Sequence, residues 1–184
     1  MPGQTNRSKR KKALLIYFTK FKGQKRSAPL VRPAPLDILI TLSGSFLAFA
    51  ILSILSLVYL TPVLATPLGA TAVLVFGAPD APLSQPRNVI LGHALSAIIG
   101  VATYQILGTH WWTVTLGTSS AILVMLLTKT THPPGGATAM FAILNAAKPI
   151  YIVTPIIAGS LLLILMGLLV NNLSPNRNYP RYWY

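Results

Sequence analysis

The chain has 184 residues, with 15 Lys and Arg against 2 Asp and Glu for a formal charge of +13, yet 53% of it is apolar and only 9% is charged. Two carboxylates, Asp37 and Asp80, leave no material for paired-acid hydrolysis or a carboxylate-rich metal site, and the absence of Cys removes thiolate nucleophiles, disulfides, zinc ribbons and iron–sulfur clusters. The composition therefore predicts an all-α membrane protein with one integral domain and excludes a small basic soluble one.

The basic charge comes first, since 10 of the 15 Lys and Arg precede Asp37. Residues 1–36 read as a cytosolic or juxtamembrane tail that meets anionic lipid, because such clusters flank the first span on the cytosolic side. Phosphate neutralisation of a nucleic acid is the weaker reading, and no nucleic-acid partner is expected. An acid-free tail containing Arg and Ser also fits an organelle transit peptide. The apolar run from Ala13 to Phe18 is too short for a signal-peptide core and is expected to lie on the membrane surface.

A bilayer core needs about twenty apolar helical residues. Four long spans are predicted, at 38–60, 89–107, 111–128 and 152–170, the third opened by the interfacial pair Trp111 and Trp112. Two shorter apolar pieces, 61–78 and 131–147, begin with prolines and glycines that break regular helix. Pro67, Gly69, Ala70, Thr71 and Ala72 of the first recur as Pro134, Gly136, Ala137, Thr138 and Ala139 of the second, at an offset of 67. Gly92 and Gly100 likewise fall opposite Gly159 and Gly167. The prediction is a duplicated unit of long transmembrane helix, broken Pro/Gly short helix and long transmembrane helix. Residues 37–108 form the first repeat, 109–173 the second, and 174–184 an aromatic tail. The stride of Gly92, Ser96 and Gly100 reads as helix packing, whereas unwound backbone at membrane depth points to a binding site near the midplane.

Pro67 and Pro134 suit the first turns of the short helices. The hydroxyl of Thr66 can cap the first, while Pro133 offers no acceptor, which leaves the N–H groups of Gly135, Gly136 and Ala137 free for an oxyanion. Gly69 and Thr71 occupy the equivalent places in the first copy. His132, Lys129 and Lys148 add positive charge around the second helix, and His93 is an ionisable residue inside a span. Arg87, beside Asn88, either snorkels to headgroups or guides an anion inward. His110, Tyr179, Tyr182, Trp183 and Tyr184 read as interfacial anchors. The predicted substrate-binding set is therefore His132, Gly135, Gly136, Thr138, Gly69, Thr71, Arg87, His93 and Lys129. No acid falls inside a span, which disfavours cation transport. Proton coupling would fall to His93 or His132. No nucleotide motif, cofactor site, metal site or oriented nucleophile–base pair is apparent, so an enzyme is not expected.

The run His132-Pro133-Pro134-Gly135-Gly136-Ala137-Thr138-Ala139 joins two upstream motifs, Ala65-Thr66-Pro67-Leu68-Gly69-Ala70-Thr71-Ala72 and Ser84-Gln85-Pro86-Arg87-Asn88-Val89. Together they resemble the HPP family of integral membrane proteins over residues 35–172. The resemblance implies four transmembrane segments and, from family members in cyanobacteria and chloroplasts, transport of nitrite. It carries no established set of substrate contacts. The expectation is a multi-pass transporter or channel for a small anion in the cell membrane, or alternatively in the chloroplast inner envelope. Its partners would be membrane lipids and the anion, and a homo-oligomer is compatible with it. The competing reading is a non-transporting scaffold or assembly subunit that contacts lipid or a partner through its basic tail. Re-entrant short helices would give four crossings with like-oriented halves, and short spans would give six with inverted halves.

Overall fold

A computed structural model describes residues 11–12, 15–22, 32–58 and 65–183. Ala13 and Leu14 of the predicted surface run, and Tyr184, lie outside the described residues. The chain divides into two compact units, Met1–Pro33 and Ala34–Tyr184. In the first, residues 15–19 are helical and lead into a tight turn at Lys20–Lys22. The rings of Tyr17 and Phe21 meet edge to face with centroids 5.2 Å apart, and Leu15, Ile16, Tyr17, Phe18 and Phe21 are all exposed. Exposed aromatics on a basic helical segment suit a membrane surface.

The second unit is helical throughout, with no strand among the described residues. Its helices are α1 Pro35–Val58, α2 Thr66–Gly77, α3 Pro86–Leu107, α4 Trp111–Leu127, α5 Pro133–Leu144 and α6 Ile152–Asn171. Prolines sit in the first turn of α2, α3 and α5, where the missing N–H costs nothing. Gly108, at φ 70°, stops α3 in a conformation that favours glycine. The end of α2 widens into a π-type turn at Val73–Gly77, as does the start of α6 at Ile152–Ile157, which kinks at Thr154 ahead of Pro155.

Three helices are long and apolar enough to cross a membrane: α1 with 24 residues, α3 with 22 and α6 with 20. Four were expected, and α4, with 17 residues, falls among the shorter apolar helices alongside α2. It stops because the backbone turns at Thr128 and takes a left-handed conformation at Lys129, φ 56°. Apolar side chains are exposed along these helices, including Phe46 and Leu57 on α1 and Leu123 and Leu126 on α4.

Hydrogen bonds fix the helix directions. Asn88 at the start of α3 reaches the Thr131 carbonyl before α5, while Gln105 and Thr109 reach the Ala147 and Ile143 carbonyls at the end of α5, so α3 and α5 run parallel. Asn171 at the end of α6 reaches the Val75 carbonyl at the end of α2, so those two also run parallel. Thr41 near the start of α1 donates to the Phe76 carbonyl, which makes α1 antiparallel to α2. Successive helices therefore alternate in direction, and the short helices α2 and α5 run opposite ways. One end of the bundle collects Arg87, Lys129, Arg177 and Arg181, and the other carries Lys148.

Two further regularities appear in the packing. The buried stripe of α1 is Ile40, Gly44, Ala48 and Leu52, and that of α4 is Thr113, Gly117, Ala121 and Met125, each with a stride of four. A methyl added at Gly44 would meet Phe76 and Val170, and one at Gly117 would meet Ile143 and Thr103.

Candidate functional site

Where α2 and α5 face α3, four polar side chains form a continuous chain inside the bundle. Thr71 and Thr138 stand at equivalent places on the two short helices, each within reach of its own carbonyl one turn back, Pro67 at 3.2 Å and Pro134 at 3.1 Å. His93 is two turns into α3. His132 caps α5 with an extended backbone, φ −138° and ψ 107°, as the following proline requires. Thr71 Oγ1 lies 2.6 Å from His93 Nε2 and 3.0 Å from His132 Nε2, Thr138 Oγ1 lies 2.7 Å from His93 Nδ1, and His132 Nδ1 lies 2.9 Å from the Leu83 carbonyl. The two rings meet edge to face at 4.8 Å, and all four residues are 0% exposed.

The donor inventory orders this chain. A carbonyl only accepts, so the proton of neutral His132 is on Nδ1, donated to Leu83, and Nε2 must accept from the Thr71 hydroxyl. Thr71 has one proton, so His93 must donate its Nε2–H to the Thr71 oxygen and accept at Nδ1 from Thr138. With both rings neutral, every nitrogen is satisfied.

The surroundings are packed shut. A methyl on Gly92 would lie 2.6 Å from His132 Cβ and 2.9 Å from the Thr130 carbonyl, and one on Gly135 would lie 2.7 Å from Met125 Sδ and 2.9 Å from Ser96 Oγ. The Gly92–Ser96–Gly100 face is thus the packing seam of α3 on α5. Ser96 Oγ is buried without a hydrogen-bond partner.

Two expectations about the helix starts are corrected. Thr66 does not cap α2; the cap position is Ala65, with no side-chain bond, and Thr66 is exposed. Nor is the Gly135 N–H free, because it donates to the His132 carbonyl at 2.8 Å, as Leu68 N–H does to Ala65 at 2.9 Å. Each short helix thus closes its first turn on its own backbone. Of the predicted set, His132, His93, Thr71 and Thr138 come together, and Gly135 packs beside them. Gly136 and Gly69 lie on other faces of their helices, Gly136 with Ile122 at 3.8 Å and Gly69 with nothing within 4 Å. Arg87 is not at the cluster: it donates to the Thr128 carbonyl at 3.1 Å and the Lys129 carbonyl at 3.3 Å, closing the end of α4. Lys129 and Lys148 are exposed at opposite ends of the segment.

Sequence reasoning missed a second polar centre, at the charged end. Arg177 is 9% exposed and uses all of its donors: Nε to Asp37 Oδ1 at 3.1 Å, one terminal nitrogen to the Phe76 carbonyl and Asn171 Oδ1, the other to the Asp37 carbonyl and Thr41 Oγ1. The signal available was Asp37 itself, an acid opening an apolar helix that calls for a cation. Asp80 is likewise paired, with Arg181 at 2.6 Å. Tyr179 is not an interfacial anchor: it is buried and donates to the Ser84 carbonyl at 2.9 Å, and burial raises its phenol above the usual range. Tyr182 and Trp183 are exposed. Among the described residues no three His, Asp or Glu gather as metal ligands.

Residues 31–180 match the transmembrane region of the HPP family. A transmembrane protein of Dictyostelium discoideum is 38% identical over 180 residues, covering 91% of this chain and 57% of its own length. A second from the same organism is 40% identical over 123 residues, covering 62% of this chain and 43% of its own length. The chain thus spans about half the length of these curated relatives. No solved structure matches.

Proposed function

The chain belongs to the HPP transmembrane family, and from that premise we propose that it is an integral membrane transporter or channel for a small inorganic anion, with nitrite the leading substrate. The observation that carries this reading is the chain Thr138–His93–Thr71–His132, which joins the two short helices in the interior of an apolar bundle. Ionisable groups at such depth are costly and mark transport pathways by default. We take the path to run between α2 and α5 past these four residues, with Gly135, Gly136 and Gly69 shaping the backbone and Arg87 and Lys129 drawing anions to the charged end.

We also read the chain as an inverted duplication. Thr71 and Thr138 bind opposite nitrogens of one ring, Gly100 would meet Ala142 as Gly167 would meet Val75, and the stripes of α1 and α4 share Gly and Ala at their two central positions, Gly44 and Ala48 against Gly117 and Ala121. Alternating helix directions favour six crossings with inverted halves over four with like-oriented halves, a plan that recurs in secondary transporters with substrate bound between the repeats. The excess of Arg and Lys at one end assigns that end to the cytosol. We place the protein in the cell membrane, the chloroplast inner envelope being the alternative. We read it as a carrier and not an enzyme, with Thr71, Thr138 and the two imidazoles as polar groups along the path.

The test is nitrite uptake by the purified chain in proteoliposomes, against protein-free vesicles. Uptake should be saturable and should fall in Thr71→Val and Thr138→Val at matched protein content. Uptake equal to that of empty vesicles would sink the transport reading and leave the scaffold reading standing.

A further inference from the structure

Building on the anion-transport reading, we infer that the His93–His132 pair carries one proton with each monovalent anion, so that the protein is an electroneutral proton–anion symporter. The argument is one of hydrogen-bond bookkeeping. In the neutral state the chain runs one way: Thr138 donates to His93 Nδ1, His93 Nε2 to Thr71, Thr71 to His132 Nε2, and His132 Nδ1 to the Leu83 carbonyl. Add one proton at Thr138 and let each member pass its own along, Thr138 to His93 Nδ1, His93 Nε2 to Thr71 and Thr71 to His132 Nε2, and the chain reverses without losing a bond, with the extra proton on His132. His132 then donates from both nitrogens, to Leu83 and to Thr71. Thr71 turns its hydroxyl to His93 Nε2, His93 donates from Nδ1 to the Thr138 oxygen, and Thr138 donates to the Pro134 carbonyl 3.1 Å away.

The same proton can instead reside on His93. His93 then donates to Thr138 and Thr71, and Thr71 donates to His132 as in the neutral state. These two protonated forms interconvert by passing the His93 Nε2 proton to the Thr71 oxygen while the Thr71 proton passes to His132 Nε2. No proton is gained or lost in that hop. It moves one positive charge between a site two turns inside α3 and a site against the Asp80–Gln85 loop.

Only one proton fits. Two imidazolium rings at 4.8 Å would repel in a low-dielectric interior, and among the described residues both carboxylates, Asp37 and Asp80, are paired with arginines. The groups that surround the pair can be named element by element. From α2 comes Thr71 alone among polar partners, from α5 Thr138, and from the stretch before α6 the Tyr151 hydroxyl, bonded to the Thr138 carbonyl at 3.4 Å. On α3 and at the end of α4, Arg87 and Lys129 stand at the helix ends, with Arg87 bonded to carbonyls. Asp80 of the adjoining loop is held by Arg181, and Asp37 by Arg177. A monovalent anion entering this interior needs one positive charge beside it, since an unpaired buried charge is costly. The shared proton supplies it.

The test uses the full chain in proteoliposomes with nitrite as probe, an entrapped pH dye, and potassium–valinomycin to set the voltage. One proton should enter per nitrite above the protein-free baseline, and the rate should follow the pH gradient while ignoring the imposed voltage. Thr71→Val should cut coupled flux about tenfold or more, a barrier of about 1.4 kcal/mol, while Thr71→Ser should keep it. Independently of flux, nitrogen-15 spectra of His-labelled protein in nanodiscs should show, at neutral pH, one buried ring protonated on Nε2 and the other on Nδ1. Nitrite entry without protons, or voltage-driven entry, overturns the symport and leaves anion transport intact. Both buried rings protonated on the same nitrogen also overturns it. No nitrite entry at all sinks both readings.

Discussion

Around α5 the bundle is closed on two sides. Gly92, Gly100 and Gly135 have no room for a methyl where α3 and α5 cross, and Gly117 of α4 sits against Ile143. Around α2 the contact with α6 is equally tight, at Gly159 against Leu68 and Gly167 against Val75. The contact with α1 is tight at Gly44, where a methyl would lie 2.8 Å from Phe76, but a cleft of about 560 Å³ opens beside it, lined by Thr41, Ser45, Phe46, Phe49, Gly69 and Val73 among others. At its end the cleft is bridged by Thr41, which donates to the Phe76 carbonyl, and by Arg177, which ties Asp37 to Phe76. Close-packed seams transmit strain and do not deform continuously. The difference teaches that α3, α4 and α5 pack seam to seam as one frame, whereas α1 meets α2 at Gly44 and at the Thr41 and Arg177 bridges with open space beside those contacts.

Removing the bridge is the severest way to break this comparison. Arg177→Ala takes the cation from Asp37, which is 14% exposed in the intact pair and keeps only the Ser174 hydroxyl at 2.7 Å, and the loss of one partner of a buried pair costs about 3–5 kcal/mol. Thermal unfolding in detergent should register that loss. A change under about 1 kcal/mol, the size expected of an exposed pair such as Arg181–Asp80, would mean that the open side is held together elsewhere. On the closed side, Gly92→Ala forces a methyl onto His132 Cβ and the Thr130 carbonyl, and overpacking of this kind costs about 1–3 kcal/mol. A fully stable Gly92→Ala protein would show that α5 yields after all, and the description of α3, α4 and α5 as a close-packed frame would be withdrawn.

How much of this could be read in advance varies with the kind of information. Helix ends were legible because they are local: Pro86 and Gly108 bound α3, and the predicted 89–107 differs from it by three residues at one end. The short helices were legible for the same reason, through Pro67 and the pair Pro133-Pro134. The cluster was half legible. Intramembrane histidines beside a Thr repeated at offset 67 were visible as separate candidates, but that both threonines bind the two nitrogens of one ring depends on α2 and α5 meeting across α3, which no local pattern encodes. The docking of Arg177 and Tyr179 was hidden because a tail of Asn, Pro, Arg and Tyr has no periodicity, and its partners are 101 and 95 residues away. The free-donor argument at Gly135 failed for a local reason. A helix start without a side-chain cap satisfied its donor with the carbonyl of the cap residue itself.

Arg87→Gln is a gentler probe, aimed at the end of the closed half. Its hydrogen bonds to Thr128 and Lys129 are exposed, so stability should fall by about 1 kcal/mol or less. Its charge nevertheless stands beside Lys129 at the end of the bundle where His132 begins α5. Nitrite flux should then drop mainly at low substrate and low ionic strength, with Lys a partial substitute, because screening shrinks the effect of an exposed charge. Kinetics that stay unchanged across ionic strengths would remove Arg87 from the path while leaving its role in ending α4 intact.

The smallest expected effect on stability comes from the pair that the sequence set against each other, Gly69 and Gly136. Neither resists a methyl: Gly69 has nothing within 4 Å, and Gly136 has Ile122 at 3.8 Å, an ordinary contact. Both positions are helical, and Ala is preferred to Gly in a helix by about 0.5–1 kcal/mol. Gly69→Ala and Gly136→Ala should therefore be as stable as the parent or slightly more so. That neutrality makes them clean probes of transport, since any fall in flux at matched abundance cannot be charged to misfolding. If the anion approaches the backbone of α5 more closely than that of α2, Gly136→Ala slows nitrite uptake more than Gly69→Ala, and Gly136→Val slows it further. If instead the α1–α2 cleft opens during the cycle, the order inverts, because Gly69 lines that cleft and Gly136 lies against α4. Equal and normal flux in both variants would mean that neither backbone is approached, and would leave the Thr71–His93–Thr138–His132 chain as the part of the site that meets the substrate.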